Sequence, residues 1–382
     1  MHIFSTMNIV FAINVPYPFG MAGSMRVRLF AEYFSKAKVF ITNQDNGIND
    51  REGIFNGVSY SCLTSILLPY YVFLILYPVL VFNKLRSEKK IKSDNFLVIY
   101  GDADIYTFPF IIAAKVLGYK VILDIVEDRA LTEEKLSIKA KINLMFGKII
   151  FPMALRLTDG VVVISKYLEN KFKAITKLPI TLITVSAANL KQKKIDSSNI
   201  NKEFIDIVYS GSFGRKDGVE YLIEAFNQIK EKYDNARLIL IGTPRKEFIE
   251  KNHSSDIEIT GYLSDEEYQL KLCNADILCM TRIDSGFAQA GFPFKLGEYL
   301  ATAKPVIATD VTDVSLYLED KQSVVLAKPS NTQSLVDAME FLITKPEVRK
   351  IIGENGLKQC EKFFNPEINS KMLFDFMKKV HS

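Results

Sequence analysis

DSGFAQAGFPFKLGEYLATAKPVIATD, residues 284–310, is the stretch whose reading decides the fold. A Gly/Phe/Pro loop leads into a short helix predicted over 294–302, and a buried strand follows at 305–309. Loop amides at a helix N-terminus form an anion site, because unpaired N–H groups and the helix dipole point at the same place. Glu298 lies about one turn into that helix, where its carboxylate can reach hydroxyls attached to the anion. Phosphate joined to a sugar is what a nucleotide offers.

Outward from this stretch, short apolar runs alternate with helical patterns in both directions. Towards the N-terminus the runs are 8–14, 39–42, 96–100, 120–125, 160–164 and 181–185, with a hairpin-like piece at 53–60. Their near-continuous hydrophobicity is that of parallel strands buried on both faces. Residues 187–204, AANLKQKKIDSSNINKEF, are polar and mark a linker. A second series follows, with strands at 205–209, 237–241, 257–260, 275–281 and 305–309. Helices are predicted at 26–35, 108–117, 131–148, from 219, from 264, at 332–344 and at 347–364. Asn365-Pro366 breaks the chain before a last amphipathic helix at 367–380. The expected domains are 1–188, 189–365 and a terminal helical segment 366–382. Beyond the two similar halves there is no internal repeat.

Ala290-Gly291-Phe292 through Glu298, then Tyr299-Leu300-Ala301 and Lys304-Pro305-Val306-Ile307, resembles the donor-binding signature of glycosyltransferase family 4. That signature is E-x7-E followed by a buried PVI strand. The variant P-x-K-x-x-EYLA-x-x-KPVI, here Pro293, Lys295 and Glu298 to Ile307, is similar to that of bacterial surface-polysaccharide transferases. The second Glu is Glu298, whereas Ala290 replaces the first. The resemblance implies an α/β GT-B fold: two Rossmann-like, doubly wound domains facing a cleft, with a C-terminal helix crossing back to the first domain. It also implies a retaining transferase that uses a nucleotide sugar, a UDP- or GDP-sugar, as substrate, with no permanently bound cofactor and no obligatory metal.

Site residues follow from the same likeness. Lys295, the amides around Phe294 and the loop glycine Gly291 are expected to bind the donor diphosphate, and Glu298 the ribose hydroxyls. SGSFGRKDG, residues 210–218, resembles the family's basic phosphate loop, with Gly211 in its turn. Ser212 stands where that loop has Arg and Asp217 where it has Lys, so Arg215 and Lys216 are the expected substitutes. Gly242 and Tyr262 are candidates for lining the base. In the first domain, Gly23 in the 20–24 loop is expected near phosphate, with Arg26 and Arg28 adding charge. Asp102, Glu127 and Asp128 follow the predicted strands at 96–100 and 120–125, where substrates meet open parallel sheets. They are the candidate catalytic acids. A helix cap is the alternative for each. The family often has a histidine near 127, which this chain lacks. Asp284 or Gln289 stands in for the missing first Glu, or the donor sugar differs.

SILLPYYVFLILYPVLVF, residues 65–82, is followed by the cationic NKLRSEKKIK, residues 83–92. Eighteen nearly uncharged residues reach the lower edge of a membrane span. Pro69, Pro78, three tyrosines and the flanking cations suit an interfacial helix, and a buried helix is the alternative. Peripheral contact with the inner face of a cytoplasmic membrane through 65–92 fits a lipid-linked glycan acceptor.

Composition narrows the classes further. The 382 residues, 48% hydrophobic and 24% charged, suffice for two α/β domains. A net charge of +4 is far from a nucleic-acid footprint. Four cysteines without a C-x-x-C pair argue against a disulfide framework or a zinc site and suit the cytoplasm. His2, His253 and His381 lie at the chain ends or in a polar segment, so histidine chemistry is not expected. No basic region precedes the first apolar run, as a signal peptide requires. A nucleotide-sugar epimerase of the same shape and an inactive nucleotide-binding scaffold are the competing readings. A dehydrogenase lacks its G-x-G-x-x-G.

Overall fold

The computed structural model describes residues 7–34, 36–131, 138–188, 203–244, 248 and 255–381. The chain divides into two compact units, residues 1–184 with 366–382, and residues 185–365. The expected linker at 187–204 lies mostly outside the described residues. Ala187 belongs with the second unit, where its N–H donates to the Phe364 carbonyl.

The first unit is built on an eight-stranded sheet. Its strands are β1 (Met7–Ile13), β2 (Lys38–Ile41), β3 (Glu52–Phe55), β4 (Val58–Cys62), β5 (Asp94–Tyr100), β6 (Lys120–Ile125), β7 (Gly160–Val163) and β8 (Ile180–Leu182). They lie in the order β3-β4-β2-β1-β5-β6-β7-β8, all parallel except the β3–β4 hairpin. Asn56 and Gly57 turn that hairpin with positive φ, the conformation an Asn-Gly pair adopts readily. From β1 the chain winds one way to β2 and β4, then returns to β5 on the other side. The order therefore reverses between β1 and β5, and ligands of open α/β sheets gather at such a point, beyond the strands' carboxyl ends.

In the second unit the strands are β9 (Ile205–Ser210), β10 (Ala236–Ile241), β11 (Ile257–Gly261), β12 (Ile277–Met280), β13 (Val306–Thr309) and β14 (Val325–Ala327). The order β11-β10-β9-β12-β13-β14 is wholly parallel, and it reverses between β9 and β12. Both units are thus doubly wound, as expected.

Several elements differ from the sequence reading. The first helix starts at Ala22, not 26, so Gly23 and Ser24 lie in its first turn and not in a loop. The Ser24 hydroxyl ties that turn to the Pro16 carbonyl. The helix read at 131–148 runs over Ile138–Leu157 and carries Pro152 inside it, while Arg129–Leu131 form a single 3-10 turn. Gly286–Ala290, read as loop, is a short helix, because the Ser285 hydroxyl caps it by accepting the Ala288 N–H at 3.2 Å. The last helix, Pro366–His381, joins the first unit, as expected of a returning helix. Its Leu373, Phe374, Phe376, Met377 and Val380 share one core with Ile9, Phe11, Val27 and Phe34.

Candidate nucleotide site and acidic residues

The β9–β12 reversal collects most of the expected phosphate-binding groups. β9 ends in Ser210, and the chain turns through Gly211 and Ser212 into the 3-10 turn Arg215–Asp217. A side chain on Gly211 would meet the Tyr209 hydroxyl and the Lys295 ammonium, so a larger residue in this turn would displace Lys295 from its place over the Tyr209 ring. β12 leads through Arg282 to the helix Phe294–Ala301, whose N-terminus has no side-chain cap. Uncapped amides at a helix start favour an anion.

Lys295, in the first turn, packs over the Tyr209 ring at 4.3 Å and donates to the Tyr209 hydroxyl at 3.2 Å. It also pairs with Asp217 at 3.6 Å. The Asp217 carboxylate is buried and accepts from the Ser212 hydroxyl at 3.0 Å. Burial favours its neutral form. Lys295, Arg282, the Ser212 hydroxyl and Lys216 together outweigh burial, and the carboxyl lies below its usual range. Loss of solvent draws Lys295 down to about 8, against the pull of Asp217 and helped by Arg282 and Lys216. Lys216 lies 4.5 Å from the Phe287 ring centroid, and Arg215 is exposed on the same turn. The structure thus groups Gly211, Ser212, Lys216 and Lys295 around Asp217, a residue the sequence reading treated only as a departure from a motif.

Glu298 sits one turn beyond Lys295. Tyr268, on the helix Asp265–Asn274, donates its hydroxyl to Glu298 at 3.0 Å and lies 3.1 Å from the Ser210 hydroxyl. Tyr299 donates to that same Ser210 hydroxyl, and accepts the Ser210 N–H at 2.7 Å. Burial pushes the Tyr268 phenol well up and the Glu298 charge adds to it, so the phenol keeps its proton as a donor. Tyr268 escaped the sequence reading because helix 265–274 shows only its capping box there.

The remaining donor-side expectations separate. Gly291 ends the Gly286–Ala290 helix in extended conformation, and Ala290, at the place of the absent Glu, is fully buried. Gln289 and Asp284 hydrogen-bond each other at 3.3 Å, and Gln289 also accepts the Thr312 N–H at 2.6 Å. Gly242 donates to the Gly261 carbonyl, while Tyr262 is exposed.

In the first unit, Asp102 follows β5 and Glu127 follows the neighbouring β6. Asp128 is buried and bound by Lys171, by the Tyr167 hydroxyl at 3.4 Å and by the Ala130 N–H at 3.2 Å. Such pairing suits a carboxylate that fixes a loop. Gly23 faces the Tyr100 ring, which would obstruct any side chain there. The expectation for Arg26 is corrected. Arg26 is buried in a two-bond pair with Asp124, both at 2.8 Å, and also donates to the Ile183 and Thr184 carbonyls. Arg28 lies against Phe19 and Phe55 beside Glu32. Among the described residues, no three His, Cys, Asp or Glu groups are placed to hold a metal ion.

Residues 191–359 match the family model described as glycosyl transferases group 1. An uncharacterized glycosyltransferase, MJ1178, of Methanocaldococcus jannaschii is 30% identical over 232 residues, 58% of this chain and 60% of that protein. The capsular polysaccharide biosynthesis glycosyltransferase CapM of Staphylococcus aureus is 22% identical over 182 residues, 44% of each chain. The chain thus spans less than two-thirds of either relative's length. Among solved structures, Anabaena Alr3699/HepE in complex with UDP superposes with a TM-score of 0.72 at 16% identity, covering 98% of this chain and 100% of that one. The fold is therefore GT-B, and the segment that matches the family model falls within the second unit.

Proposed function

We propose that the protein is a glycosyltransferase of the retaining family 4 type. It moves a sugar from a nucleotide sugar, a UDP- or GDP-sugar, to a glycan acceptor during bacterial surface-polysaccharide assembly. The acceptor is lipid-linked, and residues 65–92 meet the cytoplasmic membrane peripherally. The observation that carries the reading is the placement of Lys295 and Glu298 one turn apart on one uncapped helix at the β9–β12 reversal. A solved neighbour bound to UDP and a relative named for capsular polysaccharide support it.

In this reading Lys295, the Phe294 amide and the Arg215/Lys216 pair stabilise the diphosphate as it departs with negative charge. Glu298, held by Tyr268, accepts from the ribose hydroxyls. The leaving phosphate takes the acceptor proton, so no protein base is required. Asp102 and Glu127 are assigned to the acceptor, and Asp128 to holding the loop that carries Glu127.

Thermal shift with UDP, GDP, ADP and dTDP tests this. One nucleotide is expected to stabilise the protein, by about 2.7 kcal/mol at a hundredfold excess over Kd. The shift should vanish in Glu298→Ala and in Arg215→Ala/Lys216→Ala, and fall by about half in Tyr268→Phe. No shift from any nucleotide at millimolar concentration would reject the reading. Binding without transfer from any sugar conjugate would leave the inactive scaffold.

Affinity should also depend on pH. Lys295 is charged below about 8 and neutral above it, and a bound diphosphate favours the charged form. Nucleotide affinity measured by calorimetry should therefore fall roughly tenfold from pH 7 to pH 9, with proton uptake on binding above pH 8. Without nucleotide the sign reverses. The lysine is held below its ordinary 10.5, so its burial costs stability below pH 8, and that cost is relieved between pH 8 and 10.5.

A further inference from the structure

Three helices of the first unit expose apolar side chains together. The helix Tyr70–Glu88 buries one narrow stripe, Phe73, Tyr77, Val81 and Leu85, at four-residue spacing. It packs along the helix Phe108–Val116, which in turn meets the helix Ile138–Leu157. Tyr77 donates to the Tyr106 carbonyl at 2.7 Å and Tyr119 to the Leu85 carbonyl at 2.8 Å, fixing the first two elements. Outside the stripe the first helix is still apolar: Tyr71, Ile75 and Val79 are exposed, Ile75 by 77%. The second exposes Ile112 and Val116, and the third Phe146, Ile149 and Met153. No helix among the described residues is long and apolar enough to cross a membrane.

Charge distinguishes the possible occupants. The three helices contain one acid, Glu88, and it is paired with Lys38. Exposed cations border the apolar residues: Arg86, Lys89, Lys90 and Lys92 at one end, Lys148 and Arg156 on the third helix. Lys89 also comes close to Gly118, just past the second helix, so this basic end spans two of the elements. A second copy would set these cations against one another. An anionic lipid surface accepts both features, taking apolar side chains below its phosphates and lysines among them.

We infer that these three helices form one docking face for an anionic bilayer surface, with Ile149 and Met153 inserted beside Ile75 and Val79. The inference rests on the membrane contact proposed for residues 65–92 and enlarges it to a helix some sixty residues further along the chain.

Flotation of the full chain with vesicles of phosphatidylcholine, alone or mixed with phosphatidylglycerol, tests it. Binding is expected only to the anionic vesicles, and should weaken with added salt. It should fall ~10-fold or more in both Ile75→Glu/Val79→Glu and Ile149→Glu/Met153→Glu. Circular dichroism checks that each variant folds. Arg86→Ser/Lys89→Ser/Lys90→Ser, which leaves the apolar residues in place, should lose the preference for anionic vesicles. Wild-type flotation by the Ile149/Met153 variant would overturn the three-helix face while leaving contact through 65–92 intact. No flotation of the unaltered protein would overturn both. A lipid-free dimer that either glutamate pair dissociates in the ultracentrifuge would make the face a self-interface and sink the proposal. Nucleotide binding is read separately, so failure of the donor-site reading would leave these results unaffected.

Discussion

Arg26→Met is expected to lower the unfolding free energy of the first unit by about 3–5 kcal/mol, measured by urea denaturation. The guanidinium is 1% exposed and its partner Asp124 2%. Two 2.8 Å bonds join them, and two further bonds satisfy the Ile183 and Thr184 carbonyls beside β8. Methionine matches the stem but leaves a buried carboxylate without its counter-ion. Most of the cost is that unpaired charge, so Arg26→Met/Asp124→Leu should recover much of it. Arg26→Lys should not, because an ammonium cannot make the forked contact. A loss below about 1 kcal/mol in Arg26→Met would show that the pair contributes little.

Lys295→Met is expected to weaken nucleoside diphosphate binding about 100-fold by calorimetry, through loss of one buried, charge-assisted contact. The substitution has a second effect. Asp217 loses its directly paired cation and, with Arg282, Lys216 and the Ser212 hydroxyl left to offset it, presents a less compensated carboxylate to any incoming phosphate. Lys295→Met/Asp217→Asn separates the two roles. It should regain thermal stability, since the buried carboxylate that lost its paired cation is gone, and yet bind nucleotide poorly. Wild-type affinity in Lys295→Met would move the phosphate away from this helix and overturn the assignment.

What was legible in the sequence is what lies close together along the chain. Apolar runs marked the strands because parallel strands covered on both faces have no polar side to show. The 284–310 stretch folds much as read, into the helix Phe294–Ala301 and the strand Val306–Thr309, because loop, helix and strand are consecutive there. Arg26 was misread as a phosphate cation because only one end of its ion pair is local; Asp124 is 98 residues away. Tyr268 and Glu298 meet across 30 residues, and neither position signals the other. Five-residue Gly286–Ala290 is too short for periodicity, and only Ser285 hints at it. The 65–82 segment could not be assigned a face from sequence, because its composition is apolar on every side; its helix buries one stripe and exposes the rest.

The helix Pro366–His381 also bears on how the chain acquires its structure. It supplies Leu373, Phe374 and Met377 to a core whose other members come from before residue 184. On the ribosome, residues 185–365 are made in between, so the second unit can close while the first still lacks part of its interior. Order of synthesis and order of completion are therefore inverted, and the earliest strands wait longest with apolar surface open to chaperones. The chain also passes between the units twice, at 184/185 and at 365/366, so no single proteolytic cut releases the first unit with its core whole.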